Sequence, residues 1–271
     1  KFAVGVEGGG QNFVPPGELL QIDIDPNMVG RTHTAALGVV ADAKKALEDI
    51  GEGLDDVSPN DGQFNETVYE ARDGVRVAMR NRLGPDFEAI MDCMRERLPE
   101  DGLWVRDSTI SAYNWGNQLF PIYKPRTSIN PSSGAIGPGL PFSIGAAIGS
   151  GKATLVIHGD GGFMCHATEL ATAAQYNVPV VVCVMNDHGY GVLRWLQDTR
   201  FGRINETDLG KMDFVRIAQG MGVPAERAAS VADMDAALER GFASGGPYLI
   251  DVDMEHLAPM EISIMPKKKA S

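Results

Sequence analysis

Cysteine, basic charge and long apolar runs are all scarce in this chain, and each shortage excludes a class of function. Cys93, Cys165 and Cys183 are the three cysteines among 271 residues; they offer no disulfide framework and lack metal-ligand spacing. They read as small buried hydrophobes in a reducing compartment. Lysine and arginine number 24 against 36 aspartates and glutamates, a net charge of −12, which argues against a nucleic-acid partner or an anionic membrane surface. The basic run Lys267-Lys268-Lys269 reads as a solvated tail. The longest apolar run, Val178–Met185, is far too short to span a bilayer. A charged-then-apolar leader is also missing, so the expectation is a cytoplasmic protein without a secretory signal or membrane partner. The chain opens on Lys1 inside an apolar stretch, as a piece of a longer protein would. What is plentiful is core material, 44% hydrophobic residues, enough for one or two domains.

The most informative stretch is Thr154–Trp195. Thr154–Ile157 is a short apolar run bounded by His158 and Gly159, the pattern of a buried strand. Gly159-Asp160-Gly161-Gly162 breaks it, and Phe163–Tyr176 carries helix formers with an apolar face at Leu170, Ala173 and Ala174. Asn177 and Pro179 stop that helix, Val180–Met185 is a second buried strand, and Asn186-Asp187-His188-Gly189 is a second polar turn. Strand, turn, helix and strand in this order make a right-handed crossover, with parallel strands and both turns at their carboxyl ends. Asp160 and Asp187 then share one sheet edge beside glycine amides. Two hard oxygen ligands there suit a magnesium ion holding a diphosphate, and glycine lets the backbone approach the phosphate. Read from these residues alone, two acidic turn residues on a doubly wound sheet explain the pattern as well.

A GDG turn followed at this spacing by an Asn-Asn-type turn resembles the thiamine diphosphate fingerprint of the 2-oxoacid decarboxylase and acetohydroxyacid synthase superfamily. TAAQYNVP and VMNDHGYGVLRW resemble benzoylformate decarboxylases in particular. The resemblance implies Asp160 and Asp187 as side-chain ligands of Mg2+, with Gly189 offering its carbonyl, and Gly161, Gly162 and Tyr190 beside the cofactor. Asp187 departs from the family, which usually has a second asparagine here; the carboxylate still binds magnesium but adds negative charge beside the diphosphate.

Upstream, Phe2–Val6 is a candidate strand followed by the turn Gly8-Gly9-Gly10. Without G-x-G-x-x-G spacing this turn does not support a dinucleotide enzyme. Leu19–Ile24 reads as a buried strand and Ala41–Ile50 as an amphipathic helix; together they resemble the end of the middle domain of acetohydroxyacid synthase-like enzymes. Gly51–Asn65 is the linker candidate, which divides the chain into residues 1–55, the remnant of a middle α/β domain, and 56–271, a diphosphate-binding domain. Helices are expected over Glu66–Arg82 and Asp86–Arg97, separated by Gly84-Pro85, and a strand over Leu103–Arg106. The Asp107–Ser111 turn, with Thr109 and Ile110, resembles a segment whose backbone helps hold the diphosphate; as a bare pattern it is an N-cap cluster. In Ser133–Ile148 the resemblance implies a cofactor wedge: Ile136 lies between the two rings, Gly134 carbonyl accepts from the 4′-amino group, and Ile136 N–H donates to the ring nitrogen. Leu196–Asn205 resembles a mobile active-site segment. Asp213–Met221 and Val231–Ala243 read as helices and Tyr248–Val252 as the closing strand. The expected fold is α/β, a doubly wound and mostly parallel sheet flanked by helices.

The family resemblance implies decarboxylation of a small-molecule 2-oxoacid, ligation of the resulting carbanion to a second carbonyl, or both. It also implies a homodimer or homotetramer with active sites shared between subunits, because the glutamate that activates the aminopyrimidine sits on a partner's N-terminal domain. A segment matching that glutamate is not found here, so the chain alone is expected to be inactive. A non-catalytic ligand-binding module of the same fold is the competing reading. Flavin adenine dinucleotide stays open, since its site would lie mostly upstream. The five histidines read as structural or surface residues, with His188 beside the metal turn the one to test.

Overall fold

The computed structural model describes residues 17–54, 62–132 and 134–261. The expected Phe2–Val6 strand, the Gly8–Gly10 turn, the expected domain boundary, Ser133 and the lysine tail lie outside them. The chain divides into two compact units between Arg72 and Asp73, a point inside helix α2 (Gln63–Asn81).

The first unit contains two parallel strands, β1 (Leu20–Asp23) and β2 (Leu37–Val40), in the register Leu20 to Leu37 and Asp23 to Val40. Helix α1 (Ala43–Glu52) follows, with the Asp42 carboxylate accepting from the Lys44 and Lys45 amides at its N-terminus. Leu20, Leu37 and Leu47 are exposed while Ala46 is buried. A two-stranded sheet with one helix is too small to cover its own apolar residues.

The second unit is built on six parallel strands: β3 (Leu103–Arg106), β4 (Ser128–Ile129), β5 (Thr154–Gly159), β6 (Val180–Asn186), β7 (Ala225–Ala228) and β8 (Tyr248–Asp253). Their order across the sheet is β4-β3-β5-β6-β8-β7. The central strands β5 and β6 carry the apolar runs Leu155–Ile157 and Val180–Met185 and are buried on both faces, as parallel strands covered by helices must be. On one face Val105, Val156, Val182 and Val184 pack with Leu140 and Ile144 of α4 (Gly139–Ser150), Leu170 and Ala173 of α6 (Glu169–Gln175), and Phe214 and Ala218 of α8 (Phe214–Gly220). On the other, α9 (Val231–Ala243) lies on β6, β7 and β8 and against α3 (Gly84–Arg97). Each large side chain buried fully in these layers contributes about 1.5–3 kcal/mol.

Three local readings are corrected. The break expected over Gly159–Gly162 is helical from Asp160 on, as the start of a short helix, α5 (Asp160–Met164), entered from extended Gly159. The single helix expected over Phe163–Tyr176 is therefore two, α5 and α6, joined by three-residue turns in which Cys165 N donates to Gly162 O, His166 N to Phe163 O and Glu169 N to His166 O. The two helices expected on either side of Gly84-Pro85 are present as α2 and α3, but the break falls at Arg82-Leu83 and Gly84 and Pro85 begin α3, with Gly84 at φ +73° and Pro85 in the first turn, where its missing N–H costs nothing. Cys165 is exposed, not buried; Cys183 is the buried cysteine, its thiol pKa raised by burial. Among the described residues no helix is long and apolar enough to cross a membrane.

Candidate functional site

From β3 the chain steps outward to β4, then returns across β3 to β5 and continues the other way. The connections after β3 and β5 thus diverge, opening a crevice at their carboxyl ends, where ligands bind in open parallel sheets. A cleft of about 410 Å³ lies there, lined by the loops after β3, β5 and β6 and by residues of the α4 approach.

Two carboxylates form its floor. Asp160 opens α5 and is 1% exposed. Its Oδ1 accepts from Gly161 N at 2.7 Å and its Oδ2 from Gly189 N at 2.8 Å. Asp187 follows β6, with Arg194 Nη1 3.5 Å from its Oδ2; Arg194 also donates to Asp208 Oδ1 at 2.8 Å. Burial pushes the Asp187 carboxyl up to about 6, the Asp160 charge adds to the rise, and Arg194 opposes it. Burial likewise raises Asp160, against the pull of the Gly161 and Gly189 amides. Such a pair favours a cation, since desolvated like charges repel each other. With the Gly189 carbonyl they make a set of hard oxygen donors suited to a divalent ion. Among the described residues no three His, Cys, Asp or Glu side chains cluster to hold a metal, so this set would need ligand oxygens to complete it.

The glycines here are required by close approach. A Cβ on Gly161 would enter the Tyr190 ring, and one on Gly189 would collide with Arg194 and the Thr207 carbonyl. The turn around Asp187 is held from behind. Asn186 donates to Asp251 Oδ1 at 2.9 Å, and Arg227 donates to Asp251 Oδ2 through Nε and Nη2. The Asn186 carbonyl oxygen of the side chain accepts from His188 N at 3.3 Å, and His188 sits at φ +56°. Beyond the turn, Gly189 bridges Asp208 in antiparallel fashion, Tyr190 N donates to Thr207 O, and Leu209 N donates to His188 O. Helix α7 (Gly191–Phe201) rises between these two ends, so much of the segment read as a mobile stretch is helical.

The side walls are Ser108–Ile110 and the approach to α4. Asp107, 2% exposed, joins them: its Oδ1 accepts from Ser108 N and its Oδ2 from Gly137 N, both at 2.7 Å. His158, fully buried, brings Nδ1 within 2.7 Å of the same Oδ2. Residues 112–116 form one π-turn, closed by Asn117 N to Ala112 O, with Gly116 O accepting from Trp104 Nε1.

Thr109, Ile110, Gly134, Ile136, Asp160, Gly161, Gly162, Asp187, Gly189 and Tyr190 all line this one cleft. Tyr113, Met185, Val192 and Leu193 line it too and were not singled out from sequence. Val192 and Leu193 had a signal, the apolar pair opening a helix after the Gly189 turn; Tyr113 and Met185 had none. His188 lies outside the lining, its Nε2 3.6 Å from Glu255 Oε2, whereas His158, read from the sequence as a structural or surface residue, is buried behind the walls.

Residues 110–252 match the family model of the thiamine pyrophosphate enzyme, C-terminal TPP binding domain; thiamine pyrophosphate is thiamine diphosphate. The benzoylformate decarboxylase of Pseudomonas aeruginosa is 30% identical over 261 residues, which cover 92% of this chain and 46% of that protein. Acetolactate synthase 2, chloroplastic, of Zea mays is 28% identical over 96% of this chain and 44% of its own length. Among solved structures, the thiamine diphosphate-dependent 4-hydroxybenzoylformate decarboxylase of Rhodococcus jostii superposes with a TM-score of 0.70 at 26% identity, covering 89% of this chain and 45% of that one. The chain thus spans about half the length of the curated relatives it matches. With its crevice at the switch point of a parallel sheet and its match over residues 110–252, the chain belongs to the thiamine pyrophosphate enzyme C-terminal TPP-binding domain family.

Proposed function

We propose that the cleft anchors thiamine diphosphate through a magnesium ion held by Asp160, Asp187 and the Gly189 carbonyl, as the cofactor-binding part of an enzyme that decarboxylates a 2-oxoacid or ligates the product to a second carbonyl. The observation that carries this reading is a pair of carboxylates, Asp160 buried and Asp187 partly buried, delivered by two adjacent strand ends, with Asp160 tied to the second turn by its bond to Gly189 N. The residues fit the group: the donors are hard oxygens, and Gly161 and Gly162 keep the floor free of side chains. When bound, thiamine diphosphate stores the electron pair released as carbon dioxide leaves.

The chain's own residues then bind and orient. Ser108, Thr109 and Ile110 offer a wall for the diphosphate. Ile136, 44% exposed, would serve as the wedge between the cofactor rings, and the Gly134 carbonyl and Ile136 N–H would hold the pyrimidine. Met185, Val192 and Leu193 keep this end apolar, which strengthens electrostatic contacts around the reacting carbon. The exposed side of Ile136 supports a homo-oligomer in which another domain covers the pyrimidine and brings the activating glutamate. Residues 17–54 fit the end of the domain that would precede it. The names of the relatives support a 2-oxoacid substrate of the pyruvate or arylglyoxylate class.

The test is calorimetric titration of the native protein with thiamine diphosphate, with and without magnesium, followed by assays on pyruvate and benzoylformate. Magnesium-dependent binding with turnover supports the proposal. Binding without turnover on any 2-oxoacid by a protein of the length of its relatives favours a ligand-binding module, and magnesium-independent binding removes the metal site.

A further inference from the structure

We propose that Asp107 is a positioning residue that locks the two side walls of the cleft together and thereby sets the grip on the ring end of the cofactor, not on its diphosphate. The inference rests on the cleft holding thiamine diphosphate as described above. Its geometric basis is independent of that reading. Asp107 leaves β3 at the switch point, and its two oxygens take different walls: Oδ1 holds Ser108 N and Oδ2 holds Gly137 N, each at 2.7 Å. Gly137 directly follows the wedge Ile136 and has φ +99°, a conformation that an L-residue rarely adopts. The bond therefore pins a left-handed turn at the residue where the wedge ends.

The carboxylate has no alternative place to go. Strand pairing of Arg106 with Ile157 sets Asp107 beside His158, whose ring is fully buried and within 2.7 Å of Oδ2. A Cβ on Gly162 would stand 3.1 Å from Oδ2, and one on Gly139 would stand 2.8 Å from the His158 ring. Glycine at both positions makes room for the acid–imidazole pair. A buried carboxylate accepting two amides forms strong, charge-assisted bonds, and losing one leaves an orphaned N–H. The metal floor is built differently, from Asp160, Asp187 and Gly189 just after β5 and β6, and the Gly189 amide bonds to Asp160 rather than to Asp107. Loosening the Gly137 turn therefore releases Ile136 while leaving the diphosphate floor intact.

Asp107→Asn separates the two ends. Its single side-chain oxygen can still accept from Ser108 N, and its amide then faces the Gly137 N–H, donor against donor. The native protein and the variant are titrated calorimetrically with two probes, inorganic diphosphate plus magnesium and thiamine diphosphate plus magnesium. The expected result is a loss of about tenfold or more in thiamine diphosphate affinity, with the inorganic diphosphate affinity unchanged within about twofold; retained binding of the second probe also shows that the variant is folded. Equal losses for both probes, or unchanged affinity for thiamine diphosphate, overturn the proposal. A wild-type protein that binds neither probe overturns the cofactor reading itself, and this inference with it. If Asp107→Asn is too unstable to purify, Asp107→Ser, whose hydroxyl can accept one of the two amides, is read with the same probes and the same criteria.

Discussion

Asp160 Oδ2 accepts the Gly189 amide at 2.8 Å, so a side chain at the end of β5 holds the backbone of the turn that follows β6. The two halves of the cleft floor are one hydrogen-bonded piece. A change at either residue is felt at both.

Asp160→Ala is accordingly expected to abolish cofactor retention. It removes a ligand oxygen and leaves the buried Gly189 N–H without its acceptor. Calorimetry with saturating magnesium should show thiamine diphosphate affinity down by about a hundredfold or more. An affinity equal to wild type would remove the floor from the binding site.

Asp187→Asn is expected to leave the fold and the metal site standing. The substitution keeps an oxygen donor, removes one of two mutually repelling charges and releases Arg194 from one of its partners. The loss of repulsion and the loss of an anionic ligand oppose each other, so the change in magnesium-dependent affinity should stay within about tenfold. Complete loss of binding would mean that this turn does not face the metal.

Asp251→Ala should reach the metal from behind the sheet. Asp251 is fully buried and holds Asn186, whose side chain in turn caps the His188 amide. Removing it orphans the Asn186 amide at a cost of about 2 kcal/mol, measurable by urea unfolding. Arg227 is half exposed and can turn to water. Magnesium affinity should fall about tenfold; a stability loss with unchanged metal affinity would make Asp251 a core residue and nothing more.

The strands and turns of the site could be read from sequence because their signals are local. Val180–Asn186 is a continuous apolar run ending in a polar turn, and Asp160 and Asp187 follow their strands directly. What escaped reading depends on partners distant in the chain. β7 is Ala225-Glu226-Arg227-Ala228, an edge strand with charged side chains and no apolar pattern. β4 is two residues long and exists through its pairing with β3. The break between α5 and α6 runs through residues that would suit one helix; Phe163 instead packs edge-on to both His158 and Phe214. Asp107 and His158 are ordinary residues until the β3–β5 register sets them side by side.

The chain of residues 1–271 by itself is expected to bind cofactor weakly and to turn over no substrate. On the proposed reading its residues would hold the diphosphate and one side of the pyrimidine, while Ile136 is 44% exposed, so that this side of the cofactor would stay solvated. Steady-state assays with saturating thiamine diphosphate and magnesium should compare it with a protein of the length of its relatives. Equal rates would mean that a base within these residues does the work assigned to the missing glutamate.

The excursion that carries α7 leaves at Gly189 and returns at Asp208, where the two ends are already bonded to each other. A loop stapled at its base can change length or composition at its far end with little added closure entropy. Val192 and Leu193, at the near end, look into the cleft, while Phe201 and Ile204 lie exposed further out. This wall of the cleft can thus be exchanged as one peripheral cassette while the floor at Asp160 and Gly189 keeps its own bond.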